Sequence, residues 1–237
     1  MKILAIDTSA LPVSAALVED GRLLGEFYLN IRTTHSQTLM PVISSLLESS
    51  KTDTESIDLF AVNAGPGSFT GVRIGVASVK GIAMPLDKPC AQVSTLESMA
   101  YSMPYTCGVV CAVMDARCQQ VYNALFRLDN GRVERITEDR ALSLEELAAE
   151  LEYYDKTVYL TGDGAELCYD NFGDKMDNIV LTPANIRFQH AYGTAMAAMN
   201  MAQNSQLCSC DELMPVYLRL PQAERELKEK QKKINKE

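Results

Sequence analysis

The chain has 237 residues, 47% of them hydrophobic, and sets 22 Lys and Arg against 31 Asp and Glu for a net charge of −9. This apolar share offsets chain entropy and excludes an intrinsically disordered protein, and the length suits one large domain or two small ones. Residues 221–237 carry six Lys/Arg and four Asp/Glu, so the first 220 residues hold 16 basic and 27 acidic side chains, a net −11. Nucleic-acid affinity draws on cations that displace counterions from phosphates, so so acidic a body is not an autonomous RNA binder. The charged tail reads as a solvated, frayed end or as a docking arm. The seven cysteines include no CxxC pair and read as reduced thiols. The first residues lack the basic and long apolar regions of a signal peptide, no run approaches ~18 charge-free apolar residues, and a cytoplasmic protein away from membranes is expected.

Residues 2–6 form a short apolar run that ends in Asp7-Thr8-Ser9, a buried strand entering a polar turn. A second strand follows at 13–18, Asp20-Gly21 signals a hairpin, and 22–29 supply a third strand, so the chain opens as an antiparallel meander. Leu39, Val42, Ile43, Leu46 and Leu47 then recur at the spacing of one helix face, predicting a helix over 35–50. After a strand at 59–63, Gly65-Pro66-Gly67 turns the chain into a helix over 68–83, with Ser68 as N-cap and Pro85 beyond its end. Gly67, Gly71 and Gly75 repeat every four residues, and Ala77 and Gly81 form a second small pair. A helical glycine costs ~1 kcal/mol relative to alanine, so something approaches this helix closely: a neighbouring element of the same chain or a helix of another subunit.

The second half repeats the first. Asp7 matches Asp115, Val13 matches Val121 and Ala16-Leu17 match Ala124-Leu125, all offset by 108 positions. A strand, an Asp-led turn and a hairpin used twice indicate two lobes with the same opening meander. Further on, Ser143 and Glu146 form a capping box for a helix through about Tyr154, residues 158–161 form a strand before Gly162-Asp163-Gly164, and a helix rich in Ala and Met covers 191–203. Pro104 breaks the pattern, so the expected division is residues 1–104, 105–220 and a tail 221–237.

Paired meanders with an Asp turn in each lobe resemble the actin, hexokinase and Hsp70 class, which holds ATP in a cleft. On that reading Asp7, Ser9, Ser68 and Asp115 form a nucleotide or anion site, retained or vestigial; on the other, Asp7 and Asp115 are turn residues that bond their own backbone. The segment 65–75 is neither a P-loop, which needs Gly-Lys-Ser/Thr where Gly71-Val72-Arg73 stands, nor a Rossmann fingerprint. Only His35 and His190 are present, without a companion that reads as a metal ligand pair, and Cys208-Ser209-Cys210 is two ligands short of a soft-metal site. No serine or cysteine has the setting of a nucleophile.

Five segments in order, AIDTS at 5–9, THS at 34–36, GPGSFTGVRIG at 65–75, MDAR at 114–117 and PVYLR at 215–219, resemble the bacterial TsaB family of tRNA threonylcarbamoyladenosine biosynthesis proteins. The resemblance runs to Leu220. It implies an α/β, two-lobed actin-like (ASKHA) fold with duplicated ribonuclease H-like lobes, and a non-catalytic scaffold and activator. Family members pair with the paralogue TsaD, which transfers threonylcarbamoyl to N6 of adenosine 37 in ANN-decoding tRNAs, and the ATPase TsaE completes the assembly. The tRNA is then met only through the complex, no cofactor is held tightly, and ATP with Mg²⁺ is confined to the complex interface. The catalytic paralogue carries an HxxxH metal motif where Thr95 and Met99 align here, and neither side chain replaces imidazole. In the family, the helices equivalent to 35–50 and 68–83 bundle with the paralogue, which assigns Leu39, Ile43, Leu46, Gly71, Val72, Gly75, Val76 and Val79 to partner binding. A bare stripe of this kind implies a homodimer in isolation. Cys118-Gln119-Gln120 departs from the basic residue and Glu that relatives often carry there. The alternatives are a Mg·ATP-dependent small-molecule kinase or ATPase, resting on Asp7 and Asp115, and a peptidase, for which no nucleophile or metal site is in view.

Overall fold

A computed structural model describes residues 1–103 and 107–219. The expected boundary at Pro104 and the tail 221–237 lie outside these residues.

The first sheet is built from β1 (Lys2–Asp7), β2 (Val13–Glu19), β3 (Arg22–Leu29), β4 (Leu59–Gly65) and β5 (Cys90–Ser94), in the order β3-β2-β1-β4-β5. Helices α1 (His35–Ser50) and α2 (Phe69–Ala83) belong to the same stretch, and α3 (Thr95–Tyr101) ends it. The second half contributes β6 (Gly108–Asp115), β7 (Gln120–Asp129), β8 (Arg132–Arg135), β9 (Arg140–Ser143), α4 (Leu144–Leu151), β10 (Val158–Thr161), α5 (Ala165–Asn171), β11 (Ile179–Leu181), α6 (Ala184–Arg187) and α7 (Ala191–Gln203). Its sheet runs β8-β7-β6-β10-β11, with β9 also paired to β7.

Both sheets thus use one plan: an antiparallel meander of three strands, then two strands added in parallel on the far side of the first. Asp7 and Asp115 end equivalent strands, paired with Ser14 and Val121. This duplicated topology is the two-lobed actin-like fold. The capping box stands as read: Ser143 N–H donates to Glu146 Oε2 at 2.8 Å and Glu146 N–H to Ser143 Oγ at 3.1 Å, although the helix stops at Leu151.

Helices α1 and α2 cover one face of the first sheet. Leu39, Ile43 and Leu46 from α1 and Val72, Val76 and Val79 from α2 interlock with Leu4, Ile6, Leu17 and Val62. All six helix side chains are at most 4% exposed. Their assignment to partner binding is corrected here: an apolar stripe wide enough to cover a sheet is spent on this chain's own sheet and has no surface left for a partner. Gly71 and Gly75 are corrected with them. A Cβ on Gly71 would fall on the Thr8 carbonyl, and one on Gly75 would lie 2.5 Å from Thr8 Oγ1. The close neighbour of this glycine row is the turn after β1, fastened by a Thr8 Oγ1–H bond to the Gly71 carbonyl at 2.7 Å. Gly81 differs, since nothing lies within 4 Å of a Cβ placed there.

Packing crosses the 104/105 division in both directions. Helix α7, from the second half, lays Ala191, Ala195, Ala197 and Ala198 on Ile3, Ala5, Ala16 and Val18 of the first sheet. Helix α3, from the first half, lays Leu96, Met99 and Ala100 on Val110, Ala112, Met114 and Phe126 of the second. The two helices cross so closely that a Cβ on Gly193 would strike Ser98 O. Small side chains on α7 permit this approach.

Candidate functional site

The turn after β1, the N-terminus of α2 and the turn after β6 converge on a cleft of about 530 Å³ between the lobes, lined by Ser9, His35, Gly67, Ser68, Asp115, Arg117, Tyr122 and Asp163 among others. Of the four residues expected at a nucleotide or anion site, Ser9, Ser68 and Asp115 meet here, whereas Asp7 lies beneath the floor at 1% exposure.

Each aspartate closes the same local ring. Ser9 N–H donates to Asp7 Oδ1 at 2.8 Å, and Arg117 N–H donates to Asp115 Oδ1 at 2.7 Å. A carboxylate capping its own backbone two residues on is the turn device of aspartate, so the repeat seen at the 108-residue offset is a repeated turn. Their remaining contacts differ. Asp7 Oδ1 also accepts from Ser9 Oγ at 2.7 Å, and Oδ2 accepts from Asn63 Nδ2 at 2.8 Å. Burial pushes the Asp7 carboxyl up, against the lowering by these donors. Asp115 faces the cleft and pairs with the Arg117 guanidinium at 3.5 Å.

Asp163, two residues past the end of β10, lines the cleft from a Gly-Asp-Gly turn that in the sequence is a common one. Burial pushes its carboxyl up to about 6, with Asp115 and Asp7 adding to the rise and a bond from Gln189 Nε2 at 2.8 Å opposing it. His35 seats α1 by donating Nε2–H to the Ala10 carbonyl at 2.8 Å. Ser68 caps α2, its side chain accepting from Gly71 N–H at 3.3 Å. In the turn opposite, Arg117, Cys118 and Gln119 hold φ of 66°, 56° and 57°, a left-handed run of non-glycine residues that only a well-determined surrounding sustains.

Asp7 does not fit a Mg²⁺-bound nucleotide. The ion requires carboxylate oxygens turned to the cleft, and those of Asp7 are sealed below it and taken by three donors; Asp115 and Asp163 line the cleft, the first paired with Arg117 and the second bonded by Gln189. Thr95 and Met99 lie inside α3 packing at 0% and 1% exposure, and among the described residues no group of three His, Cys, Asp or Glu is placed to hold a metal ion. All seven cysteines are free thiols. Cys90 and Cys208 face each other across a single β-bridge, and burial pushes the Cys90 thiol up to about 12, which makes it a poor nucleophile. Among the described residues no helix is long and apolar enough to cross a membrane.

Comparison with known proteins adds the family. The family model described as "TsaD: tRNA N6-adenosine threonylcarbamoyltransferase" matches residues 25–226. The tRNA threonylcarbamoyladenosine biosynthesis protein TsaB of Bacillus subtilis is 32% identical over 98% of this chain and 100% of its own length. The Escherichia coli protein of the same name is 32% identical over 92% and 95%. The structure of YeaZ from Pseudomonas aeruginosa superposes with a TM-score of 0.80 at 26% identity, covering 92% of this chain and 99% of that one. The chain therefore belongs to the bacterial TsaB family, within the wider group that the TsaD family model describes.

Proposed function

We propose that this chain serves tRNA threonylcarbamoyladenosine biosynthesis as a non-catalytic scaffold and activator that pairs with a TsaD-type transferase, with a TsaE-type ATPase completing the assembly. The observation that carries this reading is the state of Asp7: the carboxylate that would serve a nucleotide is sealed under the cleft floor with both oxygens occupied. Thr95 and Met99, buried in the packing of α3, support it further, since neither supplies a ligand of the kind a catalytic metal needs. An actin-like kinase or ATPase would need the Asp7 carboxylate turned to the cleft beside Asp115.

The pairing surface belongs on the outer side of α1 and α2. Met40 and Met84, 47% and 54% exposed, flank Pro41, Ser44, Ala77 and Gly81, all exposed. Ala77 and Gly81 are one helical turn apart and leave room for a partner's helix to approach closely, which the inward-facing Gly71 and Gly75 cannot do. The same outer face is where two copies would associate in isolation. With a body of net −11, the chain meets tRNA through its partners, not alone.

Two measurements test this reading. Size-exclusion chromatography of the chain mixed with its TsaD-type paralogue is expected to give a joint peak. Calorimetric titration of the isolated chain with Mg·ATP is expected to give no binding below the millimolar range. Submillimolar binding would favour the kinase or ATPase reading, and two separate peaks would remove the scaffold.

A further inference from the structure

The PVYLR segment at 215–219 runs along α2 to the edge of the cleft, and the structure gives it a path of its own. After α7 the chain returns to the first lobe. Cys208 and Cys90 exchange backbone bonds at 2.8 and 2.9 Å on the open edge of β5. Lys80 Nζ, on α2, donates to the Asp211 carbonyl at 3.1 Å, Leu213 is wholly buried in the first core, and Met214 N–H donates to Gln92 Oε1 at 2.9 Å. Val216 N–H then donates to the Ala64 carbonyl at 2.7 Å. Here Gly65 adopts a φ of 126°, and any Cβ on it would collide with Val216 O.

Beyond this point the segment is fastened by aromatic and cationic contacts. The Tyr217 ring stacks on Phe69 at 4.3 Å and 10° between planes, its hydroxyl accepts from Arg73 Nε at 2.7 Å, and the Arg73 guanidinium sits 5.5 Å above the Tyr217 ring. Two residues later the chain reaches the other lobe: Arg219 Nη1 donates to the Ala116 carbonyl at 2.9 Å. Ala116 follows the last residue of β6, lines the cleft, and leads into the left-handed run at 117–119.

Among the described residues the lobes are therefore held at the crossing of α3 and α7, by the Ser94–Asp139 and Glu97–Arg135 contacts beside it, and, separately, by residues 216–219 at the cleft. We propose that residues 208–219 are a clasp that fixes the angle between the lobes, with Tyr217 held by Phe69 and Arg73 as its anchor and Arg219 on Ala116 as its latch. Its latch holds the turn at 116–120, so releasing it loosens that turn and lets the cleft widen, while the buried strands of both sheets keep their protection.

Hydrogen–deuterium exchange of the full chain followed by mass spectrometry tests the clasp. In Arg219→Ala, and separately in Tyr217→Ala, peptides covering 115–121 are expected to exchange about tenfold faster or more, the scale of losing one charge-assisted hydrogen bond. Peptides within 59–63 and 109–113 are expected to stay at the wild-type rate, which reports an intact fold. Arg219→Lys, which keeps a cationic donor, is expected to fall between. Unchanged exchange over 115–121 in Arg219→Ala would overturn the latch. Faster exchange in Arg219→Ala with none in Tyr217→Ala would overturn the anchor and with it the clasp.

Discussion

Replacing Gly75 and Gly81 by leucine, each alone, separates the inward from the outward side of α2. At Gly75 a Cβ would sit 2.5 Å from Thr8 Oγ1 and 3.1 Å from Val62, and the Thr8 side chain is fixed by its bond to Gly71 O. Overpacking against so constrained a neighbour costs about 3 kcal/mol, and the gain in helix propensity returns about 0.8. The net loss of about 2 kcal/mol should lower Tm by roughly 4–8 °C in a chain of this size. At Gly81 nothing stands within 4 Å of the added carbon, so Tm should hold or rise by up to about 3 °C on propensity alone. Pairing with the paralogue should reverse the order. Gly81→Leu wedges the facing helix away and should weaken association on the order of tenfold, equivalent to about 1.4 kcal/mol, while folded Gly75→Leu still pairs. Thermal unfolding and calorimetry of the pair read the two effects. A Gly75→Leu chain as stable as the wild type, or a Gly81→Leu chain that pairs with undiminished affinity, would refute the assignment of the two faces.

Further outcomes follow from the cleft. Burial raises the folded-state pKa of Asp163 to about 6 from an ordinary 3.8, so the unfolded chain ionises first as pH rises. Stability is therefore lost between about pH 4 and pH 6, by about 2–3 kcal/mol, and the pH dependence of urea unfolding should flatten over that window in Asp163→Asn; an unchanged slope would contradict the burial. Asp7→Ala strands the donors Ser9 N–H and Ser9 Oγ–H, leaves Asn63 Nδ2 with Ser98 Oγ as its one partner, and should cost about 3 kcal/mol. Asp7→Asn should cost less, about 1–2 kcal/mol, because its Oδ1 keeps both Ser9 donors and only the bond from Asn63 is lost. Urea midpoints compare the two, and equal losses would show that the charge itself is needed.

The duplicated meander was legible because it rests on local pattern: an apolar strand, an aspartate that caps its own backbone and a hairpin, repeated at a fixed offset. The helix stripes were legible for the same reason, including the Ser68 cap. What they face was not. Gly71–Gly75 and Ala77–Gly81 show the same four-residue spacing, and only the position of Thr8, more than sixty residues earlier in the chain, sends the first pair inward. Likewise α3 and α7 exchange lobes through contacts that no short window encodes. Strands β9 and β11 are four and three residues long, and unlike the equally short β10 neither is closed by a Gly-Asp-Gly turn that would mark it. Asp163 stands in a common turn, and its setting depends on Gln189, 26 residues further along the chain.

On the proposed reading this chain enables a reaction it does not perform. Mass-spectrometric quantification of N6-threonylcarbamoyladenosine in an ANN-decoding tRNA, with this chain, its TsaD-type paralogue and a TsaE-type ATPase combined, singly and with each omitted, tests it most directly. Modified tRNA is expected from the full mixture, only background without this chain, and none from this chain alone. Undiminished modification in its absence, or modification by the isolated chain, would contradict the account.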